Sequence, residues 1–153
     1  QLAGFLQQEA YQLDNVGIHF GYRYSGSGAV CEISGDAPPW NWGEVTPVPW
    51  PGGRVPSVRL GNGSDLFDLL GTGFTLVDLS GADVGESLAK EAIRRALPLT
   101  LVSHDDRRLR AAWGCDLVLV RPDQHVAWLG TGSPPDVGSV LDVACGVLRD
   151  ERS

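Results

Sequence analysis

Cys31, Cys115 and Cys145 are the strongest nucleophiles this sequence offers. Thiol redox chemistry needs a CxxC pair at the start of a helix, where the N-terminal dipole lowers one thiol pKa. No two of the three cysteines are so spaced, and each sits in apolar sequence, as in Ala29-Val30-Cys31. They read as three buried thiols of a reducing cytoplasm, not as a secreted disulfide framework. His19, His104 and His125 form no HxxxH or HExxH pattern, so a zinc site is not indicated. No serine lies in a Gly-x-Ser-x-Gly elbow. Asp65 with Asp68, and Asp83 with Glu86, are spaced to share a helical turn, as a general acid and base could. Acidic residues in a first turn also stabilise the helix dipole, and Asp83 with Glu86 matches a capping box. Gly71-Thr72-Gly73 precedes a predicted strand, whereas a dinucleotide loop follows one and opens a helix. Gly52-Gly53 is flanked by prolines. Neither glycine pair predicts a nucleotide site.

The elements that would position these residues follow from size and patterning. The chain has 153 residues, 42% of them hydrophobic, enough for one self-supporting core. Its longest apolar run, Leu117 to Val120, is strand-sized and far short of a membrane span. The formal net charge of −7 disfavours a phosphate backbone, so nucleic acid is not an expected partner. Arg107, Arg108 and Arg110 follow Asp105 and Asp106, which reads as a solvated helix face.

Leu2, Phe5, Leu6, Ala10 and Leu13 recur at helical spacing, and the chain begins at Gln1, inside that helix. This predicts a piece of a longer polypeptide. Ile18 to Tyr24 alternates, and Ala29 to Ile33 can return beside it, predicting a hairpin. Val55 to Leu60 is a candidate strand, Gly61-Asn62-Gly63 a turn, and Ser64 the N-cap of a helical turn over 65–70. Strands are then predicted at 74–79, 99–102, 117–120 and 125–129. A helix marked by Ala89, Ala92, Ile93, Ala96 and Leu97 joins the first two. A short polar helix at 105–112 joins the second and third, and Arg121-Pro122-Asp123-Gln124 turns between the last two. Val137, Val140, Leu141, Ala144, Cys145 and Leu148 mark a closing helix. A helical crossover makes the first two strands parallel, and a tight turn makes the last two antiparallel. The fold class is therefore α/β: a thioredoxin-like mixed sheet flanked by helices, with an extra N-terminal helix and hairpin. A working thioredoxin would carry CxxC after the first strand and a proline before the third. Here those stretches read Ser80-Gly81-Ala82-Asp83-Val84-Gly85 and Ala112-Trp113-Gly114-Cys115.

Residues 34–56 break the pattern. Pro38, Pro39, Pro47, Pro49, Pro51 and Pro56 forbid a helix and punctuate any sheet. Trp40, Trp42 and Trp50 lie among them, too much aromatic surface for a disordered linker. The segment predicts an ordered, extended loop. The three tryptophans are candidate interface residues, because tryptophan buries a large area with few rotamers lost. The competing expectation is that they plug the domain's own core.

Several stretches together resemble one family. Leu13-Asp14-Asn15-Val16-Gly17-Ile18, running into Gly21-Tyr22-Arg23-Tyr24, is similar to the start of the C-terminal domain of class A FAD-dependent aromatic hydroxylases of the phenol hydroxylase and aromatic-polyketide monooxygenase type. Pro51-Gly52-Gly53-Arg54-Val55-Pro56 resembles their Pro-Gly-x-Arg-Ala-Pro segment, and Ser64 to Gly71 with Gly73-Phe74-Thr75-Leu76 the next block. Leu119-Val120-Arg121-Pro122-Asp123-Gln124-His125-Val126-Ala127-Trp128 resembles Leu-Val-Arg-Pro-Asp-Gly-His-Val-Ala-Trp, the most specific of the matches. Ser57, Gln124 and Leu129 depart from the family's His, Gly and Arg. The resemblance implies that residues 1–16 end a helix from a preceding flavin and substrate region, and that 17–153 form the thioredoxin-like domain. It implies a parent enzyme that uses FAD, NAD(P)H and oxygen to hydroxylate an aromatic ring. This chain would then be its non-catalytic structural or oligomerisation domain, with no catalytic, cofactor-binding or metal residue. The expected partners are the N-terminal FAD and substrate domains of the same polypeptide and a second subunit. Two other classes stay open: a free-standing thioredoxin-like binding module without redox activity, and a redox protein using unpaired cysteines.

Overall fold

A computed structural model of the protein describes residues 16–41 and 43–147. The helix expected over 2–13, and Trp42, lie outside the described residues. The elements in order are α1 (Val16–Phe20), α2 (Leu66–Leu69), β1 (Phe74–Asp78), α3 (Glu86–Arg94), β2 (Leu99–Ser103), α4 (Arg107–Trp113), β3 (Leu117–Val120), β4 (Val126–Gly130) and α5 (Val137–Ala144).

The four strands form one sheet in the order β2-β1-β3-β4. β1 pairs parallel with β2, with Leu76 opposite Leu101. It pairs antiparallel with β3, with Leu76 opposite Leu119, and β3 pairs antiparallel with β4. This is the mixed sheet that the sequence predicts, with the predicted directions. The register between β3 and β4 shifts after Leu119, which faces Trp128, to Val120, which faces Val126. Ala127 is the extra residue of that bulge, and its carbonyl accepts from the Cys31 N–H at 2.8 Å instead.

Period-2 alternation sends the side chains of the central strands to two different cores. Leu76, Leu117 and Leu119 pack with Leu88 and Ala92 of α3 and with Val140, Leu141 and Ala144 of α5. Val77, Val118, Val120 and Val126 pack with Leu66 of α2, Val55, and Trp113 of α4. The Asp106 side chain caps α4 by accepting from the Leu109 N–H at 2.9 Å, and Gly114 ends it in the left-handed region at φ 67°. Asp136 caps α5 by accepting from the Ser139 N–H at 2.8 Å.

Several local expectations are corrected. The alternating run from Ile18 does not form a strand. Residues 16–20 are helical, only Arg23 bridges to Gly53, and 29–33 forms no strand, beginning instead in a turn closed by the Val30 N–H on the Ser27 carbonyl. The hairpin is absent because both limbs bond elsewhere: Arg23 and Tyr24 meet the Gly52–Gly53 backbone, and the Cys31 N–H donates to the Ala127 carbonyl. Residues 55–60 contribute one isolated bridge, Arg59 to Asp65, not a strand. Asp65, not Ser64, occupies the N-cap of α2, without a side-chain cap bond. Asp83 and Glu86 form no capping box. Gly85 is the N-cap of α3, and Asp83 takes φ 52° in the loop before it. Ile93, expected on the buried face of α3, is exposed, and Leu88 takes its place in the core. Cys145 is exposed and Cys31 only half-buried, leaving Cys115 as the buried thiol.

α3 and α5 are also tied by charge. Arg95, just past α3, donates to Glu91 at 2.7 Å and pairs with Asp142 of α5. The Arg94 and Arg95 guanidinium groups pull the Glu91 carboxyl down to about 2. A carboxyl depressed in the folded state contributes stability above its unfolded pKa, about 4.3, and loses it as pH falls through the folded value. Thermal unfolding followed from pH 5 to pH 2 should therefore show a loss that the Glu91→Gln variant lacks. Parallel curves for the two proteins would show that the network adds nothing.

Candidate functional site

The carboxyl end of β1 is where a thioredoxin fold places its chemistry, because the next helix starts there with its N–H groups exposed. In this chain Asp78, the last residue of β1, fills that position. Its carboxylate is fully buried. One oxygen accepts from the Ser80 N–H at 2.8 Å and the Ser80 hydroxyl at 2.5 Å, and the other from the Gly85 N–H at 2.7 Å. Gly85 must be glycine or shift: a Cβ there would lie 2.9 Å from Leu76 Cδ2 and 3.1 Å from Asp78 Oδ2. The head of α3 thus already holds an anion of its own. A phosphate or thiolate brought there would meet a fixed negative charge. Gly71 and Gly73 lie before β1 against Thr100 and Pro98, not over a helix N-terminus. Neither Gly71 with Gly73 nor Gly52 with Gly53 opens a helix, as a dinucleotide loop would.

The thiols are not poised for chemistry. Burial, then the Asp116 charge, push Cys115 up to about 12, and burial also raises Cys31 and Cys145. A raised pKa keeps sulfur protonated and weakly nucleophilic. All three are free. Among the described residues no group of three or more His, Cys, Asp or Glu could hold a metal ion. His125 is buried, with Nδ1 2.9 Å from the Asp123 carbonyl and its ring beside Tyr22 and Tyr24, at 5.3 and 4.9 Å between centroids. No helix is long and apolar enough to cross a membrane among the described residues.

The Pro/Trp segment is ordered and covers the Val77–Val118 face of the sheet. The Trp113 indole N–H donates to the Pro47 carbonyl at 3.1 Å, and Val48 packs in the same core. Gly52 and Gly53 run beside Val126, with N–H to carbonyl bonds of 2.8 Å in each direction. Of the candidate interface residues, Trp50 is half-buried and Trp40 is exposed at 55%, donating only to the Gly17 carbonyl at 3.3 Å. Trp42 lies outside the described residues. The tryptophan that plugs the core beneath this segment is Trp113, and Trp128 is buried in the core on the other face of the sheet.

Beside Trp40 the segment opens a cleft of about 510 Å³, lined by Phe20, Val45, Pro47, Arg54, Pro56 and Phe67 among others. The Arg54 guanidinium lies between two rings, 5.0 Å from the Phe20 centroid and 5.1 Å from that of Phe67. It donates to the Gln124 amide oxygen at 2.7 Å. Arg54 was legible only as part of the Pro51-to-Pro56 motif, and Asp78 only as the residue before the Ser80 junction.

Known proteins resemble the chain over most of its length. The family described as the aromatic-ring hydroxylase C-terminal domain matches residues 48–147. The FAD-dependent monooxygenase opdD of Penicillium oxalicum is 34% identical over 138 residues, 85% of this chain and 26% of that protein. The FAD-dependent monooxygenase apdD of Emericella nidulans is 36% identical over 136 residues, 82% of this chain and 22% of that protein. Among solved structures, the rebeccamycin biosynthetic enzyme RebC with reduced flavin superposes with a TM-score of 0.74 at 33% identity, over 88% of this chain and 25% of that one. Aklavinone-11 hydroxylase, in a ternary complex with FAD and aklavinone, superposes with a TM-score of 0.62 at 28% identity, over 83% of this chain and 26% of that one. The chain spans about a quarter of the length of these proteins.

The tryptophans separate by burial, and urea unfolding of the chain should separate them by stability. Trp113→Ala empties a core position and should cost about 3–5 kcal/mol. Trp40→Ala should change stability by about 0.5 kcal/mol or less. Equal losses would mean that Trp40 belongs to the core after all.

Proposed function

Because the chain belongs to the family of aromatic-ring hydroxylase C-terminal domains, we propose that it is the non-catalytic structural domain of an FAD-dependent aromatic monooxygenase. The observation that carries the reading is the mismatch of lengths. More than four fifths of the chain aligns with FAD-dependent monooxygenases about four times as long. The cofactor chemistry then belongs to the remainder of such a protein. There FAD, reduced by NAD(P)H, supplies the oxygen-activating step, and the substrate is a phenolic or polyketide aromatic ring.

The geometry supports a role without catalysis. The head of α3 is closed by the Asp78 carboxylate, and the buried thiol Cys115 is held protonated. The surface supports a docking role. Trp40 stands exposed on a proline-braced loop whose inner side is anchored by Trp113, so little ordering entropy is lost when a partner covers it. The partner is the flavin- and substrate-bearing part of the same polypeptide, with a second subunit as an additional contact.

Two measurements test this reading. FAD titrated against the isolated chain should give no saturable change in flavin fluorescence at micromolar concentrations. Saturable binding would place a flavin site here and defeat the assignment. In the full-length polypeptide, Trp40→Ala should loosen the packing of this domain on the rest by about 2 kcal/mol, seen as faster proteolysis between them. An unchanged cleavage rate would remove Trp40 from the interface.

A further inference from the structure

Five of the described arginines are half-buried: Arg23, Arg54, Arg95, Arg110 and Arg121. Three of them meet carboxylates, Arg95 with Glu91 and Asp142, Arg110 with Asp116, and Arg121 with Asp123. Arg23 and Arg54 meet none among the described residues. Withdrawing a guanidinium from water without a counter-charge is unfavourable, and burial lowers the Arg23 pKa accordingly. The two cations are also neighbours. Arg23 bridges to Gly53, and both side chains line a crevice with Phe20, Val45 and Trp50 that adjoins the Arg54 cleft. Two like charges held together in a crevice, in a chain of net charge −7, are a local exception to the molecule's electrostatics.

Arg54 is, moreover, held in place. Its guanidinium lies over the rings of both Phe20 and Phe67, and Gln124 accepts from one of its N–H groups. Gln124 stands at φ 66°, a backbone conformation that favours glycine. The strained residue is the one whose side chain positions Arg54. A guanidinium fixed with a free edge is suited to a carboxylate, which it can grip with two parallel hydrogen bonds.

We infer that Arg54, with Arg23 in the adjoining crevice, forms a receptor for an acidic side chain of the remaining part of the same polypeptide, seated in the Phe20–Phe67 cleft. The inference rests on the structural reading above and names the chemistry of its interface. Three features select this occupant. The crevice is cationic and its walls apolar, so it complements a carboxylate on an apolar segment. About three quarters of the length of the related proteins lies outside this chain. The cleft also includes Phe20, the end of α1, where the described chain enters the domain.

The test is photo-cross-linking in the full-length polypeptide, with Arg54→p-benzoylphenylalanine and, separately, Trp40→p-benzoylphenylalanine. The Arg54 position should cross-link to a segment preceding this chain that contains Asp or Glu. A cross-link confined to this chain, residues 1–15 included, or to a second copy, overturns the inference. If only the Trp40 position reaches the preceding region, the docking reading stands and the carboxylate receptor is wrong. If neither does, both fall. As a second readout, Arg23→Glu with Arg54→Glu should raise proteolysis between the domains roughly tenfold or more, and Arg23→Lys with Arg54→Lys much less. Equal rates for the two double variants would also overturn it.

Discussion

Leu76 and Leu119 enter one face of the sheet and Val77, Val118 and Val120 the other, and all of them are buried. Both faces of β1 and β3 must therefore be roofed, and the rest of the molecule is arranged to do so. α3 and α5 cover the leucine face, using Leu88, Ala92, Val140 and Leu141. The valine face has only α4 and the single turn of α2, which are too short to close it. The Pro/Trp segment completes the roof, held by the Trp113–Pro47 bond and by the paired backbone at Gly52 and Gly53. A loop recruited as a roof has an inner side fixed by the core and an outer side free for another use. Trp40 and the Arg54 cleft lie on that outer side.

The same economy shows at the end of β1. A parallel strand followed by a helix leaves N–H groups unsatisfied at the helix start, and folds of this type can use them to bind an anion or activate a thiol. Here the Asp78 carboxylate accepts from Ser80 and from Gly85, the N-cap of α3, and so sits at that helix start itself. The position that could have carried chemistry has become a strut that fixes the β1–α3 junction.

Much of this was legible in the sequence. Period-2 and period-3.6 patterns set the four strands and the three longer helices, and connection lengths set which strands run parallel. The missing CxxC and the placement of the glycines gave no motif for thioredoxin-type redox or dinucleotide chemistry. The motifs around Arg54 and His125 pointed to the family, because they reflect turns and close backbone contacts that depend on local residue type. Gln124 shows the limit of that reading. It stands out in sequence as a departure from glycine, but only its φ of 66° and its bond to Arg54 give the departure a physical meaning.

What the sequence by itself determined, then, is the order and direction of the elements with strong periodic signals, and the absence of redox and nucleotide motifs. What only the tertiary structure decided is whatever depends on contacts between distant segments. Ile18 to Phe20 alternates like a strand yet folds as helix, and Arg23 and Tyr24, which would have continued that strand, meet Gly52 and Gly53 instead of residues 29–33. Trp40 and Trp113 are equally apolar in sequence, and only packing makes one a surface residue and the other the plug beneath Pro47. Arg23 and Arg54 are two arginines among many until the fold half-buries both beside one crevice, with no carboxylate partner among the described residues. Periodicity reports the environment of one segment. Burial and charge pairing are properties of two segments that meet, and no local pattern encodes where they meet.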